Sequence, residues 1–333
     1  MDDVERIVLP ADDSMHENSG EENFNESAYY NFFDPRQRVG GFVRLGNRPN
    51  EGYAEMTVCF YLPDGRVAFM FERPAIASNA AHDAGGLEFS VRTPFVEHHI
   101  TYRGRACLLT DPLAMADPGA AFAANPFVTV ELDGRWLGLS PVYGGEPRRR
   151  EGDRWVSIRA ESADQEFAKG HIEQHGKTVG SLAIGGERFT LDAPGIRDRS
   201  WGPRYWQAPQ SYRWLTMSFG EDLGAVPSLV VQRDGREIHG GYIFREGRDN
   251  DTIVRTEVAS EYTGAQRLHD RLRVRATTKN GEAIEITGQV LSMIPLRNRR
   301  GGKVTRIAEG LTEWRWGDRI GYGLAEYLDH LAE

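Results

Sequence analysis

The chain has 333 residues, of which 40% are hydrophobic and 27% are charged, and its formal net charge at pH 7 is −9. This length accommodates two domains that each bury a core of their own. The acidic balance and the lack of a dense basic block predict that the protein does not bind nucleic acid. Because no run of about 18 apolar residues occurs, we also expect no membrane span.

The N-terminus and the cysteines indicate the compartment. The first residues, Met1 to Glu5, are acidic and lack a basic region followed by an apolar core, so no secretory signal is expected. The two cysteines, Cys59 and Cys107, have no CxxC spacing and provide no disulfide framework. We therefore predict a cytoplasmic protein with reduced thiols, in which Cys59 is a core residue.

The first half of the chain has the pattern of short strands. Residues 1–23 are acidic and lack periodicity, which predicts a flexible lead-in. Residues 53–62 and 66–71 flank a Pro63-Asp64-Gly65 turn and predict a β-hairpin. The alanine-rich segment 111–126 has room for one short helix, although Pro118 and Gly119 interrupt it.

The second half repeats this organisation. Residues 143–153, rich in Gly, Pro and Arg, are the predicted domain boundary. Evenly spaced strands with two-residue glycine turns, and almost no helical pattern, predict an all-β fold. We expect two antiparallel β-barrels in tandem, formed by residues 24–148 and 149–333.

The densest chemistry lies between Gly195 and Trp206, where 12 residues include three arginines, an aspartate, two tryptophans and a tyrosine. An exposed aromatic side chain forgoes a large gain from burial. Arginine suits such surroundings because it stacks on a ring and still pairs with a carboxylate. Two interpretations stay open. In the first, the Trp201 ring fills the end of a barrel and an Arg–Asp pair stabilises the turn. In the second, these side chains line the entrance of a cavity.

A second cluster is His171-Ile172-Glu173-Gln174-His175. On a strand, His171, Glu173 and His175 share a face at intervals of roughly 6.6 Å. Two of them reach one ion at about 2 Å, but three do not, and the spacing differs from the helical HExxH motif. The prediction is therefore no metal site, with the polar row facing a barrel interior or solvent.

Two carboxyl groups are candidates for the catalytic acid. In an extended segment, Arg197 and Arg199 point to the face opposite Asp198. An arginine within hydrogen-bond reach would lower the pKa of Asp198 and make it an anchor, for example for Arg204. Burial among aromatic side chains would instead raise the pKa of Glu173 toward the range of a proton donor. Asp198 and Glu173 are therefore equal candidates for the catalytic acid.

Six segments carry a resemblance to known proteins: Glu173-Gln174-His175-Gly176, Gly195 to Arg204, Gly240-Gly241-Tyr242, Thr312-Glu313-Trp314, Gly321-Tyr322-Gly323 and Glu326-Tyr327. Together they resemble the superfamily of tandem lipocalin-like proteins that includes hydroxyneurosporene synthase, a carotenoid hydratase, and the AttH-like proteins. The resemblance spans about residues 24–330. In the hydratase, the core pattern reads His-Asp-His-Asn-Trp-Gly, whereas Arg197 and Arg199 occupy both histidine positions here.

The resemblance implies two lipocalin-like barrels and a site for a hydrophobic small molecule, with no cofactor. The sequence has neither a P-loop nor the glycine pattern of a dinucleotide-binding site, which agrees with that expectation. We expect an enzyme that hydrates or dehydrates a C=C bond, or carries out a related isomerisation or cyclisation, on a terpenoid, steroid-like or polyketide substrate. The alternatives are a non-catalytic carrier of such a ligand and a structural protein without a cavity.

The predicted site joins the acids to a set of ligand-binding side chains. Asp198 or Glu173 would exchange a proton with the alkene, and aromatic rings would stabilise the cationic carbon. The expected substrate-binding residues are Trp201, Arg199, Arg204, Trp206, Tyr212, His171, His175 and Gln174.

Overall fold

The computed structural model describes residues 4–158, 168–205, 208–300 and 303–330. Two antiparallel sheets, of 13 and 11 strands, account for most of these residues, and the all-β prediction is confirmed. Within the described ranges, no helix has the length and apolar character that crossing a membrane requires.

The first sheet closes on itself as a barrel. Its strands are β1 Val4–Ile7, β2 Phe24–Asp34, β3 Val39–Arg48, β4 Tyr53–Tyr61, β5 Val67–Glu72, β6 His82–Ala84, β7 Leu87–Thr93, β8 Glu97–Leu109, β9 Phe127–Gly138, β10 Tyr143–Glu151, β11 Arg154–Ser157, β12 Gly170–Ile184 and β13 Glu187–Pro203. Strand β9 pairs with both β8 and β12, which closes the ring β2-β3-β4-β5-β8-β9-β12-β13. Strands β1, β6, β7, β10 and β11 extend the sheet beyond that ring.

The second sheet forms another ring. Its strands are β14 Pro209–Leu215, β15 Met217–Ser218, β16 Leu223–Ala225, β17 Ser228–Gln232, β18 Glu237–Gly240, β19 Tyr242–Arg245, β20 Asp251–Thr263, β21 Leu268–Thr278, β22 Ala283–Arg300, β23 Lys303–Trp316 and β24 Arg319–His330. The short strand β15 pairs with β16 on one side and with β24 on the other, which closes the ring β15-β16-β19-β20-β21-β22-β23-β24.

The helical content is small, as the sequence predicts. Helix α1, Pro118–Ala124, lies inside the alanine-rich segment. Two 3₁₀ turns are present among the described residues, at Pro10–Asp13 and at Pro112–Ala116. Asp117 caps α1 because its carboxylate accepts a hydrogen bond from the Ala120 amide at 3.2 Å. Pro118 fits as the first helical residue, where the missing N–H would have no intrahelical partner.

Strand pairing divides the chain at a different point from the predicted boundary. Strands β12 and β13 belong to the first ring, so the passage to the second sheet follows Pro203. Gly144 and Gly145, inside the predicted boundary at 143–153, are part of strand β10. An added Cβ would lie 2.3 Å from the His171 carbonyl at Gly144 and 2.6 Å from the Ile7 carbonyl at Gly145. These glycines permit close strand packing, which composition alone does not distinguish from a linker.

The N-terminal segment is the second difference from expectation. Strand β1 pairs with β10, and the side chains of Asp12 and Asp13 are buried. Arg148 donates to Asp12 at 2.6 Å, and Arg197 donates to Asp13 at 2.7 Å. Two acidic residues of this segment therefore form buried ion pairs, and Val4–Ile7 add a strand to the first sheet.

The two barrels pack against each other through their outer faces. An apolar cluster joins them, with Tyr29, Phe33 and Phe42 of the first barrel and Ile294 and Leu324 of the second. Cys59 lies in this cluster and is fully buried, which confirms its predicted place in the core. The outer faces of β2, β12 and β13 thus become an interior region of the molecule.

Candidate active site between the two barrels

Strand pairing assembles the candidate site from β12 and β13. Their register places Glu173 opposite Asp198 and His171 opposite Ser200. Leu191 and Ala193 belong to the core of the first barrel. Because successive strand residues face opposite sides, Asp198 and Ser200 face outward, toward the second barrel.

Three side chains converge on that outer face. His171 Nε2 is hydrogen-bonded to Asp198 Oδ2 and lies 3.8 Å from Glu173 Oε1. Trp214 of strand β14 donates its indole N–H to Glu173 Oε1 at 2.5 Å, so the second barrel completes the site. The His171 side chain is 41% exposed, which leaves the cluster open on one side.

The protonation states of Glu173 and His171 differ from those of the isolated side chains. Burial and the Asp198 carboxylate raise the pKa of Glu173 to about 7, against the opposing charge of His171. Burial alone would lower the pKa of His171, but Asp198 and Glu173 raise it to about 9. At neutral pH the site therefore holds an imidazolium–carboxylate pair next to a carboxyl group that both donates and accepts a proton.

The same three groups have the chemistry of metal ligands. One ligand atom each of His171, Glu173 and Asp198 lies within 4.8 Å of the other two. The sequence argument against an ion considered His175 as the third ligand, whereas the cross-strand neighbour Asp198 completes this set. An ion held at about 2 Å would replace the hydrogen bond between His171 and Asp198. The donor set therefore suits a transition metal as well as proton transfer.

Gln174, predicted near the ligand, faces the interior of the first barrel together with Arg197. Arg197 donates to Asp13 at 2.7 Å and to the Gln174 side chain at 2.8 Å. Gln174 in turn donates to the carbonyl oxygens of Phe95 and Ser140 at 2.9 and 2.8 Å. These bonds fix the N-terminal segment inside the barrel, apart from the outer carboxyl cluster.

Arg199 and Trp201 also face inward. Arg199 donates to Glu26 at 2.8 Å. The Trp201 ring is buried and stacks on His16 with 4.0 Å between centroids, and its N–H donates to Glu146 at 3.3 Å. The buried Trp201 ring agrees with the first interpretation of this motif, in which it fills the barrel. Arg199 and Trp201 thus contact other residues of the first barrel and do not line the outer cluster.

His175 connects the two barrels. Its Nε2 donates to the Met217 carbonyl at 3.0 Å, which leaves Nδ1 to accept from the Tyr242 hydroxyl at 3.0 Å. Burial lowers the pKa of His175 to about 4, so the ring is neutral at physiological pH. His175 therefore holds the barrels together and lies outside the carboxyl cluster.

Arg204 interacts electrostatically with both Asp198 and Tyr212. Arg204 donates to the Ser200 hydroxyl at 2.8 Å, and Asp198 is hydrogen-bonded to His171. Tyr212 is buried, and its hydroxyl donates to Glu326. The predicted site residue Trp206 lies outside the described residues.

Sequence reasoning missed two carboxyl groups of the second barrel. Glu309 and Glu326 face each other across β23 and β24, and both are buried. Burial raises the pKa of each, and their proximity raises that of Glu309 further. Glu326 lay in a segment that carried the family resemblance, whereas Glu309 had no signal in the sequence.

A family model matches residues 9–331, almost the whole chain. The protein belongs to the family described as a domain of unknown function, DUF7064. No curated protein matches the sequence. For this member of DUF7064, solved structures therefore provide the remaining comparisons.

The solved structures share the fold at low sequence identity. An AttH-like protein from Nitrosomonas europaea has 11% identity and a TM-score of 0.61, with 97% of this chain and 96% of that chain covered. Kievitone hydratase from Nectria haematococca has 10% identity and a TM-score of 0.61, with 97% and 93% covered. CghA, solved with Sch210972, has 12% identity and a TM-score of 0.54, with 92% and 89% covered. These likenesses confirm the tandem lipocalin-like fold.

Proposed function

We propose that this protein is a cofactor-independent enzyme that adds water to, or removes it from, a C=C bond of a lipophilic small molecule, with Glu173 as the proton donor. The observation that carries the proposal is the convergence of Glu173, His171 and Asp198 between the barrels. A carboxyl group with a pKa of about 7 is half protonated at neutral pH, which suits general acid–base work.

The three side chains have separate roles in the hydration direction. The O–H bond of Glu173 breaks as its proton forms a C–H bond with one alkene carbon, and water bonds to the other, cationic carbon. The attached water then loses a proton to the Glu173 carboxylate, so that H and OH have been added and the site is reset. The His171 imidazolium stabilises the transient carboxylate at 3.8 Å, and Asp198 keeps His171 protonated.

The likeness to kievitone hydratase supports this class of reaction. Both chains have two lipocalin-like barrels and align over nearly their full lengths. The 10% identity limits the comparison to the fold, so the argument for the chemistry rests on the carboxyl cluster. Kievitone is nevertheless a reasonable first probe.

The test compares hydration of kievitone by the wild-type protein, Glu173→Gln and Glu187→Gln. Mass spectrometry follows the gain of one water, and deuterium from D₂O reports the carbon that is protonated. We expect Glu173→Gln to lower turnover by about 10²-fold or more, because the amide keeps its shape but is not an acid. Glu187 is a matched control, since it lies on β13 with a side chain that is 53% exposed.

Two outcomes would contradict the proposal. Full turnover by Glu173→Gln would exclude Glu173 as the acid. Tight binding of kievitone without any conversion or deuterium exchange would favour the alternative, a carrier of hydrophobic small molecules, because a carrier needs the apolar surroundings but no proton donor.

A further inference from the structure

One pair of strands fixes the three side chains of the carboxyl cluster. His171 and Glu173 lie two residues apart on β12, so they share a face of the strand. Asp198 lies directly opposite Glu173 on β13, and the two strands pair along the whole length of β12. Regular sheet structure therefore sets the positions from which these side chains extend, as a precise binding site requires.

The separations of the three ligand atoms are close to those that a small divalent ion needs. Ligands about 2.0–2.2 Å from a tetrahedral ion lie roughly 3.3–3.6 Å from one another. His171 Nε2 and Glu173 Oε1 are 3.8 Å apart, and all three ligand atoms of the cluster lie within 4.8 Å of one another. Rotation of the side chains, without movement of the strands, therefore brings one atom of each onto a single ion.

The charges of the cluster also suit a divalent cation. Metal ligands bind in their deprotonated forms, so Glu173 and Asp198 would bring two negative charges and His171 a neutral imidazole. The two carboxylates then balance the two positive charges of the ion. This balance matters because the Glu173 side chain is only 4% exposed, and an unbalanced charge is costly in such a place.

The cluster is open to an ion from solvent. The side chains of His171 and Asp198 are 41% and 16% exposed. The described residues supply three ligands, which leaves a fourth position of a tetrahedral ion for water. Trp214 donates to Glu173 at 2.5 Å, and a carboxylate that binds a metal is commonly held by such a hydrogen bond.

Two other histidine–carboxylate pairs show what the carboxyl cluster adds. His98 contacts Asp13 at 2.9 Å, but Asp13 also accepts from Arg197 at 2.7 Å. His99 and Asp133 form a pair on the surface, 2.8 Å apart. Within the described ranges, the carboxyl cluster is the one group that brings three ligating side chains close enough for a single ion.

We propose that His171, Glu173 and Asp198 bind a Zn²⁺ ion, and that this ion inhibits the reaction proposed above. One imidazole and two carboxylates suit Zn²⁺, whereas Mg²⁺ and Ca²⁺ prefer shells of oxygen ligands alone. The binding claim stands on the geometry of the three ligands. Only the inhibition rests on the proposed function.

The inhibition follows from competition for the Glu173 carboxylate. A carboxylate that coordinates Zn²⁺ has lost its proton, so Glu173 could no longer protonate an alkene. The ion would also separate His171 from Asp198, which are hydrogen-bonded to each other without it. Turnover should therefore fall as Zn²⁺ fills the site and recover when EDTA removes the ion.

The binding test titrates EDTA-treated, full-length protein with Zn²⁺ in a calorimeter, and with Mg²⁺ for comparison. We expect one Zn²⁺ per chain and no saturable binding of Mg²⁺. His171→Ala should weaken Zn²⁺ binding at least about tenfold, because loss of even a hydrogen-bond partner of a ligand costs about 10–100-fold in metal affinity. Asp198→Asn, which keeps the shape of the side chain, should also weaken it.

His99→Ala is the matched control. The His99 side chain is 32% exposed and pairs with one carboxylate, that of Asp133. Its removal should leave the affinity for Zn²⁺ unchanged, and circular dichroism checks that each variant is folded.

The outcomes separate the binding claim from the inhibition. Zn²⁺ binding that is weakened in His171→Ala and Asp198→Asn but kept in His99→Ala supports the site, whether or not kievitone is hydrated. No saturable binding of Zn²⁺, an unchanged affinity in His171→Ala and Asp198→Asn, or equal binding of Mg²⁺ would each overturn it. Hydration of kievitone that is unchanged or faster at saturating Zn²⁺ would overturn the inhibition.

Discussion

The two faces of strand β13 use the same short stretch of sequence for different purposes. On the inner face, Arg197 and Arg199 are bonded to Asp13, Gln174 and Glu26. On the outer face, Asp198 joins a carboxyl cluster that is open on one side. The inner face therefore stabilises the first barrel, whereas the outer face carries ionisable groups that are partly open to solvent.

The two faces differ in the ionisation of their buried carboxyl groups. On the inner face, Asp13 accepts from Arg197 at 2.7 Å and pairs with His98 at 2.9 Å, and His98 contacts the Tyr30 hydroxyl at 2.7 Å. The bonds from His98 and Arg197 lower the pKa of Asp13 although burial opposes this. The outer face instead holds the Glu173 carboxyl group, whose pKa burial and Asp198 raise to about 7.

The largest effect is expected from breaking the inner ion pair. Arg197→Met leaves Asp13 buried without its guanidinium and should lower the free energy of unfolding by about 3–5 kcal/mol, measured by urea titration. Arg135→Met is the control, because Arg135 has a 57% exposed side chain, and it should change the value by less than about 1 kcal/mol. If Arg197→Met and Arg135→Met lowered the free energy of unfolding by similar amounts, the inner face would not have the stabilising role described here.

The pH dependence of stability tests the outer face. The pKa of Glu173 rises from the ordinary 4.5 to about 7 on folding, so the folded protein holds this proton more tightly than the unfolded chain. As pH rises from 4.5 to above 7, Glu173 therefore costs the native state a growing amount, up to roughly 3 kcal/mol. Urea titrations at pH 5 and 8 should show a smaller decline for Glu173→Gln, and parallel declines would contradict the shift.

A smaller effect concerns His171. Its pKa of about 9 depends on the Asp198 carboxylate, so Asp198→Asn should lower it toward 6.5 by one unit or more. Nuclear magnetic resonance of the His171 ring protons gives the titration directly, and His175, buried with a pKa of about 4, should not move. An unchanged His171 would mean that the pair contributes nothing to its charge.

Local sequence pattern predicts much of the fold and only part of the site. The alternation of β13 correctly separates Arg197 and Arg199 from Asp198, and the turn at Pro63-Asp64-Gly65 predicts the hairpin of β4 and β5. Which face of β13 is internal depends on pairing with β2, more than 160 positions away, which no local pattern encodes. The partner of Asp13 lies 184 positions along the chain for the same reason.

The site also depends on contacts that are distant in sequence. Glu173 and Asp198 were both named from the sequence, but Trp214, which binds Glu173, comes from the other barrel. The set of three ligands needs Asp198 opposite Glu173 in the pairing of β12 with β13, and the spacing along β12 alone does not show this neighbour.

The order in which the chain is synthesised gives the closure between β2 and β13 a further consequence. The Asp13 carboxylate leaves the ribosome 184 positions before Arg197, an interval of about 10–40 s at 5–20 residues per second. During that time the first sheet has an unpaired edge at β2 and an N-terminal segment without its cationic partners. The first barrel therefore cannot close until β13 has emerged.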